Sequence, residues 1–151
     1  MRIRNVHTRS INRPAADVFR DLERLGTEED TVWPAPSMPF QRTPGPLRVG
    51  ETRERHGIIR AALNELEPGR KMVWRADQPF LQGTHGFELT ETASGCSVEH
   101  VLQANLSWWF APVWIFKIAS VHDRIIEGIL DRLEPSSSVS TPSLSVHPHA
   151  A

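Results

Sequence analysis

Three histidines stand in settings where an imidazole could move a proton. His85 and His100 fall in two runs of strict alternation, Gly83–Thr92 and Ser97–Leu106, separated by Ala93-Ser94-Gly95. Alternation of this kind predicts two strands and a hairpin. A turn at Thr92–Gly95 sets Phe87 opposite His100 and His85 opposite Leu102. The two histidines then share one face as diagonal neighbours, about 7–8 Å apart. Phe87, Leu89, Val98 and Leu102 share that face, which makes it the inner one. Two imidazoles in an apolar pocket suit an acid/base pair or hydrogen bonds to a ligand. The plainer alternative is a pair of half-buried histidines bonded to backbone or water. A register slip of one residue would carry both outside.

His122 lies on a helical stripe further along and could reach the same space from the opposite wall. Asp123 beside it faces elsewhere, since helix neighbours do not share a face. His85, His100 and His122 together would suit zinc. Their spacing matches no short metal motif, so no metal is assigned.

A charged strand, Glu51–Arg60, alternates as well. Arg53 and Arg55 fall on one face, Glu54 and His56 on the other. One set belongs to solvent; the other could reach the interior, where a buried charge marks a functional candidate. Trp74 reads as pocket wall or core. Trp33 lies in a stretch with Pro34, Pro36, Pro39, Pro44 and Pro46, which excludes a long helix or a central strand there. That stretch also carries Val32, Met38, Phe40 and Leu47, so it is expected to fold over something.

These residues need a frame to hold them. Arg2–Ile11 reads as a half-buried strand with Ile3, Val6 and Ile11 as its apolar positions. Ala15–Leu25 is helical, with Val18, Phe19, Leu22 and Leu25 on one face. Glu51–Leu66 is expected to give one or two strands broken at Gly57. Lys71–Ala76 is a further strand, and Asp77–Gln82, with Pro79, reads as a loop. Trp108–Leu133 carries Ile115, Ile118, Ala119, His122, Ile125, Ile126, Ile129 and Leu133 at helical spacing, one stripe about seven turns long. One antiparallel sheet and one long amphipathic helix make an α+β fold.

Trp108–Phe116 wraps apolar side chains around every side of a helix start. Such a segment could border a cavity mouth, a homodimer contact or a membrane surface. No Lys or Arg cluster flanks it, so electrostatic attraction to lipid is weak.

Composition narrows the classes further. The chain has 151 residues, 39% hydrophobic and 23% charged, with net charge −1. That balance is globular and lacks the basic excess of a nucleic-acid binder. A single cysteine, Cys96, rules out an internal disulfide and four-cysteine zinc sites. No apolar run of roughly 18 residues or more could span a bilayer, and the N-terminal segment lacks an apolar core of signal-peptide length. The expectation is a soluble cytoplasmic protein with one domain, 1–134, and a disordered Ser/Pro-rich tail, 135–151.

Five phrases resemble the SRPBCC superfamily, which holds START domains, pollen-allergen-like proteins and polyketide cyclases. They are SINRPAADVFRDL (Ser10–Leu22), LRVGETRERHG (Leu47–Gly57), LNELEPGRKMVWRAD (Leu63–Asp77), GTHGFELTETASGCSVEH (Gly83–His100) and HDRIIEGILDRLE (His122–Glu134). The resemblance implies a helix-grip fold, a curved antiparallel sheet around a long C-terminal helix with a hydrophobic cavity. It implies a lipid- or polyketide-like ligand, or a cofactor-free cyclase or dehydratase. The iron site and Rieske partner of the oxygenase branch are not matched.

The candidate residues follow. His85, His100 and His122 are the acid/base set. Trp33, Phe40, Glu54, His56, Trp74, Phe87, Leu102, Trp109 and Ile118 are the ligand contacts. No metal and no cofactor is assigned. The expected partner is a hydrophobic small molecule rather than nucleic acid.

Overall fold

The computed structural model describes residues 1–134; the tail expected at 135–151 lies outside the described residues. Seven strands form one antiparallel sheet in the order β1-β7-β6-β5-β4-β3-β2. They are β1 (Arg2–Ile11), β2 (Gln41–Arg42), β3 (Arg53–His56), β4 (Ile59–Glu67), β5 (Lys71–Gln78), β6 (Leu81–Thr92) and β7 (Gly95–Leu106). Helix α1 (Ala15–Glu23) links β1 to the Pro-rich connection, and α2 (Ala111–Val113), a π-helical turn (Trp114–Ile118) and α3 (Ala119–Leu133) run on end to end.

The central hairpin has the register its alternation dictates, with Phe87 opposite His100 and His85 opposite Leu102. Val98, His100, Leu102, Ala104 and Leu106 are all buried. Beneath the Thr92–Gly95 end of this hairpin, α1 and the end of α3 pack fully buried side chains. Phe19, Leu22, Leu130 and Leu133 are each at most 1% exposed. Burying side chains of this size stabilises the fold by roughly 1.5–3 kcal/mol apiece.

Three expectations need correction. The connection after β5 is only Pro79-Phe80, because the strands extend through Gln78 and from Leu81. The inward face of β1 carries Ile3, Asn5, His7, Arg9 and Ile11, so Val6 points to the other side. The long helix is not one unbroken stripe. Its π turn takes in an extra residue, which rotates the preceding residues relative to α3. Trp114 is therefore buried and Ile115 is 54% exposed.

The polar face of β1 is matched by acids on α3. Strand residues two apart are separated by about 6.7 Å, and helix residues four apart by about 6 Å. Asn5 Nδ2 donates to Asp123 Oδ1 at 2.9 Å, and His7 Nδ1 lies 2.6 Å from Glu127 Oε1. Arg9 donates to Glu127, Asp131 and Glu134 at 2.6, 2.8 and 2.8 Å. This ladder fastens the edge strand to the helix.

Gly83 and Gly86 bracket His85 in β6. A Cβ at Gly86 would run into the Met72 carbonyl oxygen, and one at Gly83 into that of Gln103. The neighbouring strands approach closely at both points, where the sheet curves toward the helix. Gly86→Val should therefore lower unfolding free energy by at least about 2 kcal/mol in urea denaturation. A loss below about 0.5 kcal/mol would show that the strands have room to separate.

Candidate functional site

Between the inner sheet face and the last helix lies a cavity of about 300 Å³. The sheet contributes Trp74, Ala76, Leu81, His85, Phe87, His100 and Leu102; the helical segment contributes Trp114, Ile118, His122, Ile125, Ile126 and Ile129. The Pro-rich connection closes one side with Trp33, Met38 and Phe40. Its rings are interlocked. Trp33 packs on Phe40 at 5.2 Å, and Phe40 stacks on His56 at 5.4 Å with the planes 12° apart. Trp33 Nε1 donates to the Ala35 and Met38 carbonyls at 3.0 and 2.9 Å, so its polar atom is used inside the loop. Pro34 comes so close to α3 that a Cβ at Gly128 would sit 2.8 Å from it.

Four histidines converge on this apolar space. Centroids of His56 and His85 lie 5.7 Å apart, of His85 and His100 6.2 Å, and of His100 and His122 5.4 Å. His100 also packs on Phe87 at 4.9 Å, and its Nδ1 is buried without a hydrogen-bond partner. Burial, reinforced by the neighbouring histidines, lowers the His100 pKa well below 6.5. Burial likewise takes His122 down to about 4, against the opposing pull of Asp123. Both rings are neutral near pH 7.

Glu54 works differently. Its side chain is 0% exposed, with Oε1 2.8 Å from His85 Nε2. His56 Nδ1 lies 3.4 Å from Oε2, within ion-pair distance but without hydrogen-bond geometry. Burial alone would push this carboxyl up, but the attraction of His85 and His56 outweighs it and holds the pKa at about 2. Glu54 thus sits behind the two rings and does not reach the cavity, contrary to its expected place as a ligand contact. It fixes His85 through Nε2, which leaves Nδ1 as the nitrogen available to another group.

Of the residues singled out from sequence, His85, His100, His122, Trp33, Phe40, His56, Trp74, Phe87, Leu102 and Ile118 line the cavity. Trp109 does not: it is 52% exposed and packs edge-on against Phe80. Phe110 and Trp114 turn inward in its place, while Trp108 and Phe116 stay outside. Sequence reasoning passed over His7, whose ring lies 6.5 Å from His100 and 6.1 Å from His122. Its signal was alternation with Ile3 and Ile11. His85, His100 and His122 do not form a metal-ligand set. Among the described residues, donor atoms within 4.8 Å of one another belong to His7, His122 and Asp123.

Solved structures share this architecture. The di-domain ARO/CYC StfQ from the steffimycin biosynthetic pathway matches with TM-score 0.66 and 13% identity, over 89% of this chain and 50% of that one. Ara h 8.0201 matches at 0.63 and 11%, over 88% and 95%. Protein MLL2253 from Mesorhizobium loti matches at 0.63 and 16%, over 87% and 96%. The chain has a helix-grip fold. At these identities the likeness is one of fold. No family model and no curated protein matches the sequence. Among the described residues no helix is long and apolar enough to cross a membrane.

Two outcomes follow from the charge balance. The lowered pKa values of His100 and His122 mean that the unfolded chain takes up protons first, so stability is full above pH 6.5 and falls below it. His122 alone accounts for about 3 kcal/mol between pH 6.5 and 4. A His100→Leu/His122→Leu variant should lose most of that slope in denaturant titrations; an unchanged slope would place the titration elsewhere. In a His56→Ala/His85→Ala variant only burial remains, and the Glu54 carboxyl should titrate above 4.5 by carbon-13 NMR. Titration still near 2 would show that the histidines do not hold it.

Proposed function

We propose that this helix-grip protein binds an apolar or aromatic small molecule, lipid- or polyketide-like, in the cavity between sheet and helix. The supporting observation is a cavity of about 300 Å³ walled by aromatic and aliphatic side chains, with polar groups confined to a few rings. That is the composition of small-molecule pockets, at the lower end of their size range. The volume equals that of about ten liquid waters, which suits a compact ligand of roughly two or three rings. His85 Nδ1 supplies a hydrogen bond, and Trp74 and Phe87 supply flat apolar contact.

Ala76 lines the wall and is 2% exposed. Ala76→Phe should fill the space and weaken binding of an apolar fluorescent probe such as anilinonaphthalene sulfonate at least tenfold, with the fold retained by circular dichroism. Equal affinity in a folded variant would place the probe elsewhere and overturn the reading.

A second reading rests on the His85–Glu54 pair. A buried carboxylate bonded to one imidazole nitrogen fixes the ring's orientation and tautomer, the arrangement of a general acid or base. The corresponding activity is cofactor-free cyclisation or dehydration of a poly-carbonyl chain. With model polyketide chains the protein should change the product distribution, and His85→Ala should abolish that change. An identical product distribution with and without the protein would remove this reading and leave the binding proposal standing.

A further inference from the structure

We propose a divalent-metal site of the zinc class built from His7 Nε2, His122 Nδ1 and Asp123 Oδ1, where β1 meets α3. It goes beyond the cavity reading and does not rest on it. Asp123 Oδ1 is the shared corner: His7 Nε2 lies 3.2 Å from it and His122 Nδ1 3.6 Å from it. All three donor atoms lie within 4.8 Å of one another. Tetrahedral bonds of about 2.0–2.1 Å place ligand atoms about 3.3 Å apart, so small side-chain shifts suffice to close the set. Two imidazoles and a carboxylate favour a borderline transition ion over calcium or magnesium.

The surroundings supply two independent indications. His7 Nδ1 lies 2.6 Å from Glu127 Oε1, the outer carboxylate contact that turns a ligating imidazole's other nitrogen toward a metal. Two polar atoms in the same cluster are also buried without a partner, His122 Nδ1 and Asn5 Oδ1. Asn5 already touches Asp123 through Nδ2 at 2.9 Å, and reversing its amide would turn a carbonyl oxygen toward the ion instead. Hydrogen bonding explains His7 without a metal; it does not explain His122, whose Nδ1 stands beyond hydrogen-bond distance of Asp123. The His122 ring belongs to the cavity wall as well, so the ion would lie one ring away from any occupant.

The test uses the full chain, stripped with chelator and titrated with Zn²⁺ against a chromophoric competitor. Co²⁺ provides a visible spectrum of four-coordinate type as a second readout. His147→Ala/His149→Ala serves as the background, since both histidines are natural competitors for the metal. One equivalent of Zn²⁺ should bind in that background. Asp123→Asn and His122→Gln should each weaken binding at least tenfold, and Glu127→Gln about tenfold. Glu51→Gln, exposed beside Arg48, should leave it unchanged. Thermal melts confirm that each variant folds. The proposal is overturned by absence of stoichiometric binding, by loss of binding with the tail histidines alone, or by folded Asp123→Asn binding as the parent does.

Discussion

A carboxylate with no exposed surface, held ionised by two imidazoles, organises the chemistry of this molecule. An ion buried alone costs several kcal/mol after relaxation. Glu54 is tolerated because His85 and His56 cover both its oxygens. The same contact fixes the His85 ring, brings His56 against Phe40, and ties β3 to β6 across the intervening strands. A polar point, His85 Nδ1, is thereby fixed in a wall made mostly of hydrocarbon. His100, with no carboxylate beside it, and His122, whose burial outweighs the pull of Asp123, are neutral rings of the same wall.

The cavity itself follows from geometry. A sheet this curved cannot be filled by one helix along its whole length. Helix α1 and the end of α3 fill one end with fully buried apolar side chains. At the other end a π turn interrupts the helical segment between α2 and α3, and the aromatic Pro-rich connection covers what is left. Proline suits that role because it cannot join the sheet and so leaves the connection free to arch over the opening. The ladder of Asn5, His7 and Arg9 against the acids of α3 sets how far the helix can approach β1. The volume of the cavity therefore depends on polar contacts at its edge as well as on apolar packing.

The hairpin was legible because period-two alternation and a short turn leave one register, and with it came the placing of His85, Phe87, His100 and Leu102. Alternation also put Glu54 and His56 on one face, although it could not tell whether Glu54 would touch a ligand or stand behind one. The inward polar face of β1 was hidden because its partners lie more than a hundred residues away, and a strand carrying Asn, His and Arg looks solvated until its acids are seen. The π turn was hidden for a different reason: a helical period is read as uniform, so one inserted residue exchanges Trp114 for Ile115 without trace. Trp109 illustrates the limit of composition, since an all-apolar run does not say which side chains turn inward.

The most direct test of the account is native mass spectrometry of the full chain as purified from its source, followed by denaturing extraction. The account predicts a retained apolar or aromatic mass that reloads the stripped parent protein. Failure of every apolar extract to load the parent chain, or equal loading of a folded variant whose cavity is filled, would contradict it.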